Sequence, residues 1–487
     1  MALKRLLPIK FKPTMPTLSI QTLMQSSNVG FGTSGARGLV SDMTDSLCYA
    51  YTRAFLQAVV DKPGPVVVGH DLRPSSPRMA AACAAAIRDA GYTVIYAGAL
   101  PTPALAYYAL TLKAPCLVVT GSHIPFDRNG LKFYRADGEI SKDDEGLMRG
   151  TFVDVPSIIV PFDLNKVEAH AKNASVDRYV GFFGETSLKQ MRVALYEHSS
   201  VARDVLRDIL EALGATVISL GRADTFVPID TEAVRFEDVA QARAWAKEHS
   251  FDAILSTDGD GDRPLIGDET GEWFRGDMVG VLCAQYLKAD TVVTPVSSNT
   301  VVELCGAFSE VIRTRIGSPY VIAGMAQAQG HTVVGYEANG GFLLGSDALR
   351  NGKNLSALPT RDAVLPMLAL LCMAREQGVA LSKLKLDLPA RYTASDRLQD
   401  FANEKSARIL RQLSQDLSLA SRSLAPDAGE LLHKNEVDGL RLSFKNGDIV
   451  HLRPSGNAPE LRCYAESDCM IRAQALCDGA LKWVAGH

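Results

Sequence analysis

The sequence predicts an α/β protein made of three similar α/β domains followed by a smaller α+β domain. Three observations carry that prediction. A β-branched run that breaks at a Ser-Ser pair and continues as an amphipathic helix occurs three times along the 487 residues. Each occurrence is followed by another short apolar strand that ends in a polar, glycine-containing loop. The final stretch abandons this pattern for two β-rich runs joined by Lys445-Asn446-Gly447-Asp448, and Asn-Gly is the strongest short hairpin signal.

Residues 1–27 carry Lys4, Arg5, Lys10 and Lys12 and no acid, but lack the apolar core of a secretory signal. They read as an N-terminal extension, with Met15 the expected beginning of the protein. The first α/β domain is expected over 28–172. It contains "PVVVGHDLRPSSPRMAAACAAAIRDAGYTVIYAG" from Pro65 and then the strand and loop "CLVVTGSHIP" from Cys116. The second, over 173–275, contains "RVALYEHSSVARDVLRDILEALGATVISLG" from Arg192 and "FDAILSTDGDGDRP" from Phe251. The third, over 276–390, contains "TVVTPVSSNTVVELCGAF" from Thr291 and "TVVGYEANGGF" from Thr332. The α+β domain fills 391–487.

In the first two units a glycine ends the helix and a second strand follows, which is the order of a parallel strand–helix–strand unit. The Ser-Ser pair at each break is expected to cap the helix, because a hydroxyl satisfies orphan amides there. Three loops thus leave the C-terminal ends of three strands, where open parallel sheets place ligands. One site built from all three is the economical reading.

The second loop, "DGDGDR" from Asp258 to Arg263, sets Asp258, Asp260 and Asp262 at alternate positions. Three carboxylates in a tight loop repel one another unless a hard cation neutralises them, and oxygen-only ligands select Mg²⁺ or Ca²⁺. An EF-hand is the competing reading, since Glu269 stands twelfth from Asp258, but its sixth position is Arg263 where that loop needs glycine. An acidic surface turn is the bland one. Mg²⁺ commonly bridges a few carboxylates to a phosphate oxygen. The first loop supplies a partner: Ser122, between Gly121 and His123, either sits in an ordinary turn or is a phosphoryl carrier presented at the end of a buried strand.

The formal net charge of −4 gives no general attraction to nucleic acid or acidic membranes. No apolar run approaches the roughly 20 residues that span a bilayer. Nine cysteines with no Cys-x-x-Cys pair suit reduced thiols, and a cytoplasmic location is expected.

Six segments, in order, carry a resemblance. They are "FGTSGARG" (31–38), "VVVGHDLRPSS" (66–76), "TGSHIPFDRNGLK" (120–132), "DGDGDR" (258–263), "GYEANGG" (335–341) and "RPSGNAPE" (453–460). With them the chain resembles the α-D-phosphohexomutases, and among these the bacterial phosphomannomutases, from Phe31 onward. The resemblance implies a four-domain, heart-shaped phosphotransferase with one Mg²⁺ per chain, acting as a monomer or weak dimer. The implied reaction interconverts mannose 6-phosphate and mannose 1-phosphate, and glucose phosphates as well. It runs through a phosphoserine and a hexose 1,6-bisphosphate, which also serves as activator.

Carried over residue by residue, Ser122 is the phosphoserine, and Asp258, Asp260 and Asp262 join its phosphoryl oxygen on the metal. His123 and Lys132 lie beside the transferring group, Lys132 as a proton shuttle, and Arg37 and Arg263 stabilise phosphoryl charge. Glu337 and Asn339 grip sugar hydroxyls. Arg453, Ser455, Gly456 and Asn457 hold the phosphate that is not reacting; an arginine there with no nearby acid needs an anion. Gly121 is expected to let the chain turn, with His123 and Lys132 offsetting the phosphoserine charge.

The chain departs from the family pattern in several places. Gly121 and Ile124 replace two residues of the serine loop, and Asn339 stands for a serine. Gly341 and Ser318 stand where the family places histidines that serve as general base, and Asn457 and Ala458 replace Thr and Glu. A phosphoglucomutase or phosphoglucosamine mutase of the same family is the alternative. From other classes come a metal-dependent Ser-nucleophile phosphatase, which leaves the Arg453 site unexplained, and a non-catalytic sugar-phosphate-binding protein, which needs no metal loop opposite a serine.

Overall fold

Val66, Val67 and Val68 are wholly buried, as are Val193, Ala194, Val292 and Val293. Such β-branched runs, apolar on both faces, form the interior parallel strands of sheets covered by helices. The structure, a computed structural model, describes residues 17–32, 34–455 and 459–487. Its first sheet places Thr93–Ala99 beside Pro65–His70, then Cys116–Val119 and Arg128–Arg135, and continues to Ala36–Leu39 and Gly30–Phe31. The second runs Thr216–Leu220, Arg192–Tyr196, Ala253–Thr257, Pro264–Asp268. The third runs Glu310–Thr314, Thr291–Pro295, Val333–Tyr336, Phe342–Leu344, Leu358–Asp362.

The same four-strand order recurs each time. Three strands pair in parallel, and the fourth returns antiparallel beside the third. The serine, aspartate and Glu337 loops are all the hairpin between that third and fourth strand. The threefold repeat legible in the sequence is therefore real, down to the position of each polar loop.

Three expectations are corrected here. The Ser-Ser pairs do not cap the helices that follow. Ser75 precedes the helix Ser76–Asp89 without a side-chain cap, and Ala202 and Thr300 hold the corresponding positions in the other two units. The serines brace strand ends instead: Ser76 Oγ donates to Asp71 Oδ1 at 2.6 Å, and Thr294 Oγ1 donates to Ser298 Oγ at 2.7 Å. In the third unit the helix after the pair is a single turn, Val301–Leu304, stopped near Gly306 at φ +64°. Finally, residues 17–27, read as part of an N-terminal extension, join the first unit. Thr17–Ser19 pairs antiparallel with Phe152–Asp154, and the helix Ile20–Ser27 follows under a Ser19 cap.

The C-terminal part is an antiparallel sheet ordered Tyr392–Leu398, Leu461–Ser467, Ile449–Pro454, Leu440–Phe444, Leu431–Asn435. Leu440, Leu442 and Phe444 alternate inward against Val450, Leu452 and the helix Met470–Ala485. The expected hairpin turns at Gly447, φ +89°. Glu466 ties this sheet to the third unit by accepting from Arg391 Nε at 2.6 Å and Thr300 N at 3.1 Å. No helix among the described residues is long and apolar enough to cross a membrane.

Candidate active site

Buried strands deliver the functional side chains, Ser122 and the aspartates just past a strand end and Lys132 from within one. Cys116–Val119 delivers Ser122, Arg128–Arg135 delivers Lys132, and Ala253–Thr257 delivers the aspartates. The serine loop is held by Arg73, which is 1 % exposed and follows the strand Pro65–His70. Its guanidinium donates to four carbonyls: Ser122 O at 2.9 Å, Ile124 O at 2.6 Å, Pro125 O at 2.7 Å and Arg128 O at 3.0 Å. Nε pairs with Asp71 Oδ2 at 3.2 Å, and Asp71 also accepts from Thr120 Oγ1 and Gly121 N. The Phe226 ring lies 4.0 Å from Arg73 Cζ.

This clamp corrects the expected part of Gly121. The residue in the left-handed region is Ser122, φ +52°, and Gly121 is not. Glycine is needed at 121 because a Cβ there would lie 2.6 Å from Arg73 Cζ. The clamp holds Ser122 in a backbone conformation that non-glycine residues adopt only when their surroundings over-determine it.

Ser122 is fully buried, and its Oγ donates to Asp258 Oδ2 at 2.7 Å. Asp258, Asp260 and Asp262 are buried, and each offers an oxygen within 4.8 Å of the others. Lys132 Nζ bridges Asp260 Oδ2 and Asp262 Oδ2 at 2.6 Å each, and Thr102 Oγ1 donates to Asp260 Oδ2 at 2.6 Å. Asp260 Oδ1 and Asp262 Oδ1 have no hydrogen-bond partner among the described residues. Two orphaned carboxylate oxygens in a buried acidic cluster are what a hard cation would satisfy, so the donor set fits Mg²⁺. The EF-hand alternative fails: Glu269 lies beyond the far end of the strand Pro264–Asp268, where it accepts from Ser382.

Burial, followed by Asp260 and Asp262, pushes the Asp258 carboxyl well above its ordinary range. Burial acts the same way on Asp260 and Asp262, but Lys132 and Arg361 outweigh it and hold both below that range. Burial lowers Arg37 to about 10, helped by Arg263 and Arg361. Burial also drives His123 far below its ordinary value, with Arg263 and Arg37 adding to the effect. His123 Nδ1 lies 3.3 Å from Ser122 Oγ, beside the group that the serine would carry. Lys132, Arg37, Arg263 and Arg361 carry the positive charge.

Glu337, Asn339 and Gly341 form the third loop. Glu337 Oε2 accepts from Arg361 Nη1 at 3.2 Å, and Asn339 Oδ1 braces its own loop by accepting from Gly341 N at 2.9 Å. Thr231 Oγ1 donates to Asn339 O at 2.7 Å, which ties this loop to the second unit. Arg453 and Ser455 stand on the C-terminal sheet. The expectation that Arg453 has no acidic partner is overturned: its Nε donates to Asp438 Oδ2 at 2.8 Å. Asp438 also accepts from Ile316 N at 2.9 Å, so the pair sits where the third unit meets the C-terminal sheet. Arg453 pairs across strands with Arg462, and the half-buried Glu232 carboxyl feels both Arg263 and Arg462. Gly456 and Asn457 lie outside the described residues.

Sequence reasoning missed four contributors: Asp71, Arg73, Thr102 and Arg361. Asp71 and Arg73 stood inside a quoted motif. Arg361 had one signal, an Arg-Asp pair interrupting the apolar run from Leu358 to Leu365.

Comparison with known proteins agrees with this arrangement. Family models for the α/β/α domains I, II and III of phosphoglucomutase/phosphomannomutase match residues 28–150, 175–271 and 275–392. A phosphomannomutase of Salmonella muenchen is 48 % identical over 450 residues, covering 92 % of this chain and 93 % of that one. A phosphomannomutase of Sinorhizobium fredii is 44 % identical, covering 90 % and 95 %. Among solved structures, a phosphoglucomutase/phosphomannomutase family protein of Burkholderia thailandensis has the same fold. Its TM-score is 0.73 at 20 % identity, with 93 % and 97 % of the two chains covered. Together with three repeated units that converge a buried serine on an aspartate triad, these matches show that the chain belongs to the phosphoglucomutase/phosphomannomutase family.

Proposed function

We propose that the protein is a phosphomannomutase, an enzyme that interconverts mannose 6-phosphate and mannose 1-phosphate and also accepts glucose phosphates. The observation that carries this reading is the 2.7 Å hydrogen bond from Ser122 Oγ to Asp258, a member of a buried triad with two orphaned oxygens. Phosphorylation of Ser122 removes the proton that Asp258 accepts. A phosphoryl group of about −2 charge then faces three carboxylates, which requires a cation among them. Asp258, Asp260, Asp262 and a phosphoryl oxygen on Ser122 would hold one Mg²⁺, which when bound neutralises charge on the phosphoryl oxygens.

The rest is the work of this chain's own side chains. Four carboxylates (Asp258, Asp260, Asp262, Glu337) stand against four cations (Arg37, Lys132, Arg263, Arg361), so the site accepts a dianion and a dication together without net change. The phosphoryl group passes from Ser122 Oγ to the free hydroxyl of a hexose monophosphate, with Lys132 placed to take or return the hydroxyl proton. Arg37 and Arg263 attract the transferring oxygens. The resulting hexose 1,6-bisphosphate turns over and gives its other phosphate back to Ser122. Glu337 and Asn339 hold sugar hydroxyls, and Arg453, Ser455, Gly456 and Asn457 hold the idle phosphate. We read four domains, 28–172 (with 17–27 packed on it), 173–275, 276–390 and 391–487, in a monomer or weak dimer of the cytoplasm.

Intact-mass analysis of the purified protein, before and after incubation with hexose 1,6-bisphosphate, tests the carrier: about 80 Da is gained on Ser122. A mutase assay with mannose 1-phosphate then tests the reaction. Neither mass gain nor conversion would reject the reading.

A further inference from the structure

Arg361 is the penultimate residue of the strand Leu358–Asp362 and is 3 % exposed. Its Nε and Nη2 donate to a single oxygen of Asp262, Oδ2, at 3.1 and 2.8 Å. Lys132 Nζ reaches the same oxygen. Both cations thus hold Oδ2 and leave Oδ1 without a hydrogen bond among the described residues, with Arg263 Nε 3.7 Å away. The third nitrogen, Nη1, donates to Glu337 Oε2 at 3.2 Å and Ser318 Oγ at 3.3 Å. One planar guanidinium therefore grips the aspartate loop of the second unit and the Glu337 loop of the third, with geometry fixed by its fork of donors.

Its path is fixed as well. A Cβ on Gly341 would lie 2.6 Å from Arg361 Cδ and 2.9 Å from Cγ, so the methylenes fill the space a side chain at 341 would need. The two positions with unexpectedly small residues, Ser318 and Gly341, are the two that Arg361 touches.

Resting on the reading of Asp262 as a metal ligand and Glu337 as a sugar ligand, we propose that Arg361 is a positioning residue that couples cation binding to hexose binding. It aims Asp262 at the cation and Glu337 at the substrate, so neither loop is set without the other. Groups that orient a metal ligand from behind typically govern about 10–100-fold in metal affinity. Coupling of two ligands through one residue is reciprocal, so each ligand must strengthen the other by the same factor.

The test is calorimetric titration of Mg²⁺ into unphosphorylated protein, with and without mannose 1-phosphate, which reads binding without turnover. In wild type each ligand should tighten the other. In Arg361→Ala the Mg²⁺ Kd should rise at least about tenfold, and the mutual tightening should fall to within about twofold of none. A folded R361A that keeps wild-type Mg²⁺ affinity or keeps the mutual tightening overturns the proposal. Should R361A not fold, Gly341→Ala displaces the arginine without deleting any polar group. It should weaken Mg²⁺ binding although residue 341 contacts no aspartate, and unchanged Mg²⁺ binding in folded G341A overturns the proposal equally. No Mg²⁺ binding by wild type would reject the metal reading itself, a separate result.

Discussion

Ser122 Oγ meets Asp258 Oδ2 across 136 residues of chain. The two come from different sheets, yet each occupies the hairpin that follows the third strand of its unit. A hydroxyl hydrogen-bonded to a member of an acidic triad sits where a transferable group and its counter-ion have to meet.

Ser122→Ala removes the hydroxyl proposed to carry the phosphoryl group between sugars. Turnover should fall by about 10³-fold or more, as when other nucleophiles are deleted, with the melting temperature little changed. Activity within tenfold of wild type in a coupled mutase assay would contradict the carrier role.

Asp260→Asn leaves Thr102 with a neutral partner and Lys132 with Asp262 alone, and removes one negative charge from the triad. Mg²⁺-dependent activity should vanish. In wild type a chelator should abolish activity and added Mg²⁺ restore it; full turnover in excess chelator contradicts the metal site.

Gly121→Ala forces a methyl group against the buried Arg73 guanidinium. Overpacking of this kind costs about 1–3 kcal/mol. Because the clamp sets the serine loop, denaturant unfolding should show this loss and kcat should drop with it. An unaltered unfolding midpoint would mean that Arg73 yields freely.

Arg453→Ala removes a guanidinium that Asp438 holds in place. Losing a charge-assisted contact to the idle phosphate costs about 1.5–3 kcal/mol, roughly 10–150-fold in kcat/KM. Steady-state kinetics with unchanged kcat/KM would place the idle phosphate elsewhere.

Mannose and glucose phosphates differ only at C2, and none of the proposed site residues is assigned to that hydroxyl. A pocket that leaves the distinguishing group unbonded cannot reject its epimer strongly. Both 1-phosphates should be converted, with kcat/KM within about two orders of magnitude of each other. Exclusion of one by more than about 10⁴-fold would reveal a C2 contact.

The repeat and its three loops were legible because their chemistry demands residue types that are conspicuous side by side: a serine after glycine at a strand end, and alternate aspartates. Contacts between distant segments were not. Arg361 stands 99 residues from Asp262, and nothing local marks it as that carboxylate's partner. Asp438 was overlooked as the partner of Arg453 because it approaches from the bend that precedes the neighbouring strand, Leu440–Phe444. Gly121 was misjudged for a different reason. Glycine permits a turn and also permits close approach, and only the position of Arg73 decides between the two.

Each sheet is built from strands nearly contiguous in the chain, whereas the reacting groups belong to different sheets. Strands from Gly30 to Glu139 complete the first sheet before Asp258 has been translated. During synthesis Asp71, Arg73 and Ser122, the residues of the serine clamp, are thus all present while the acidic partner does not yet exist. A chain ending before residue 258 would hold the whole clamp and none of the triad. Chemical competence therefore arrives only with the second unit.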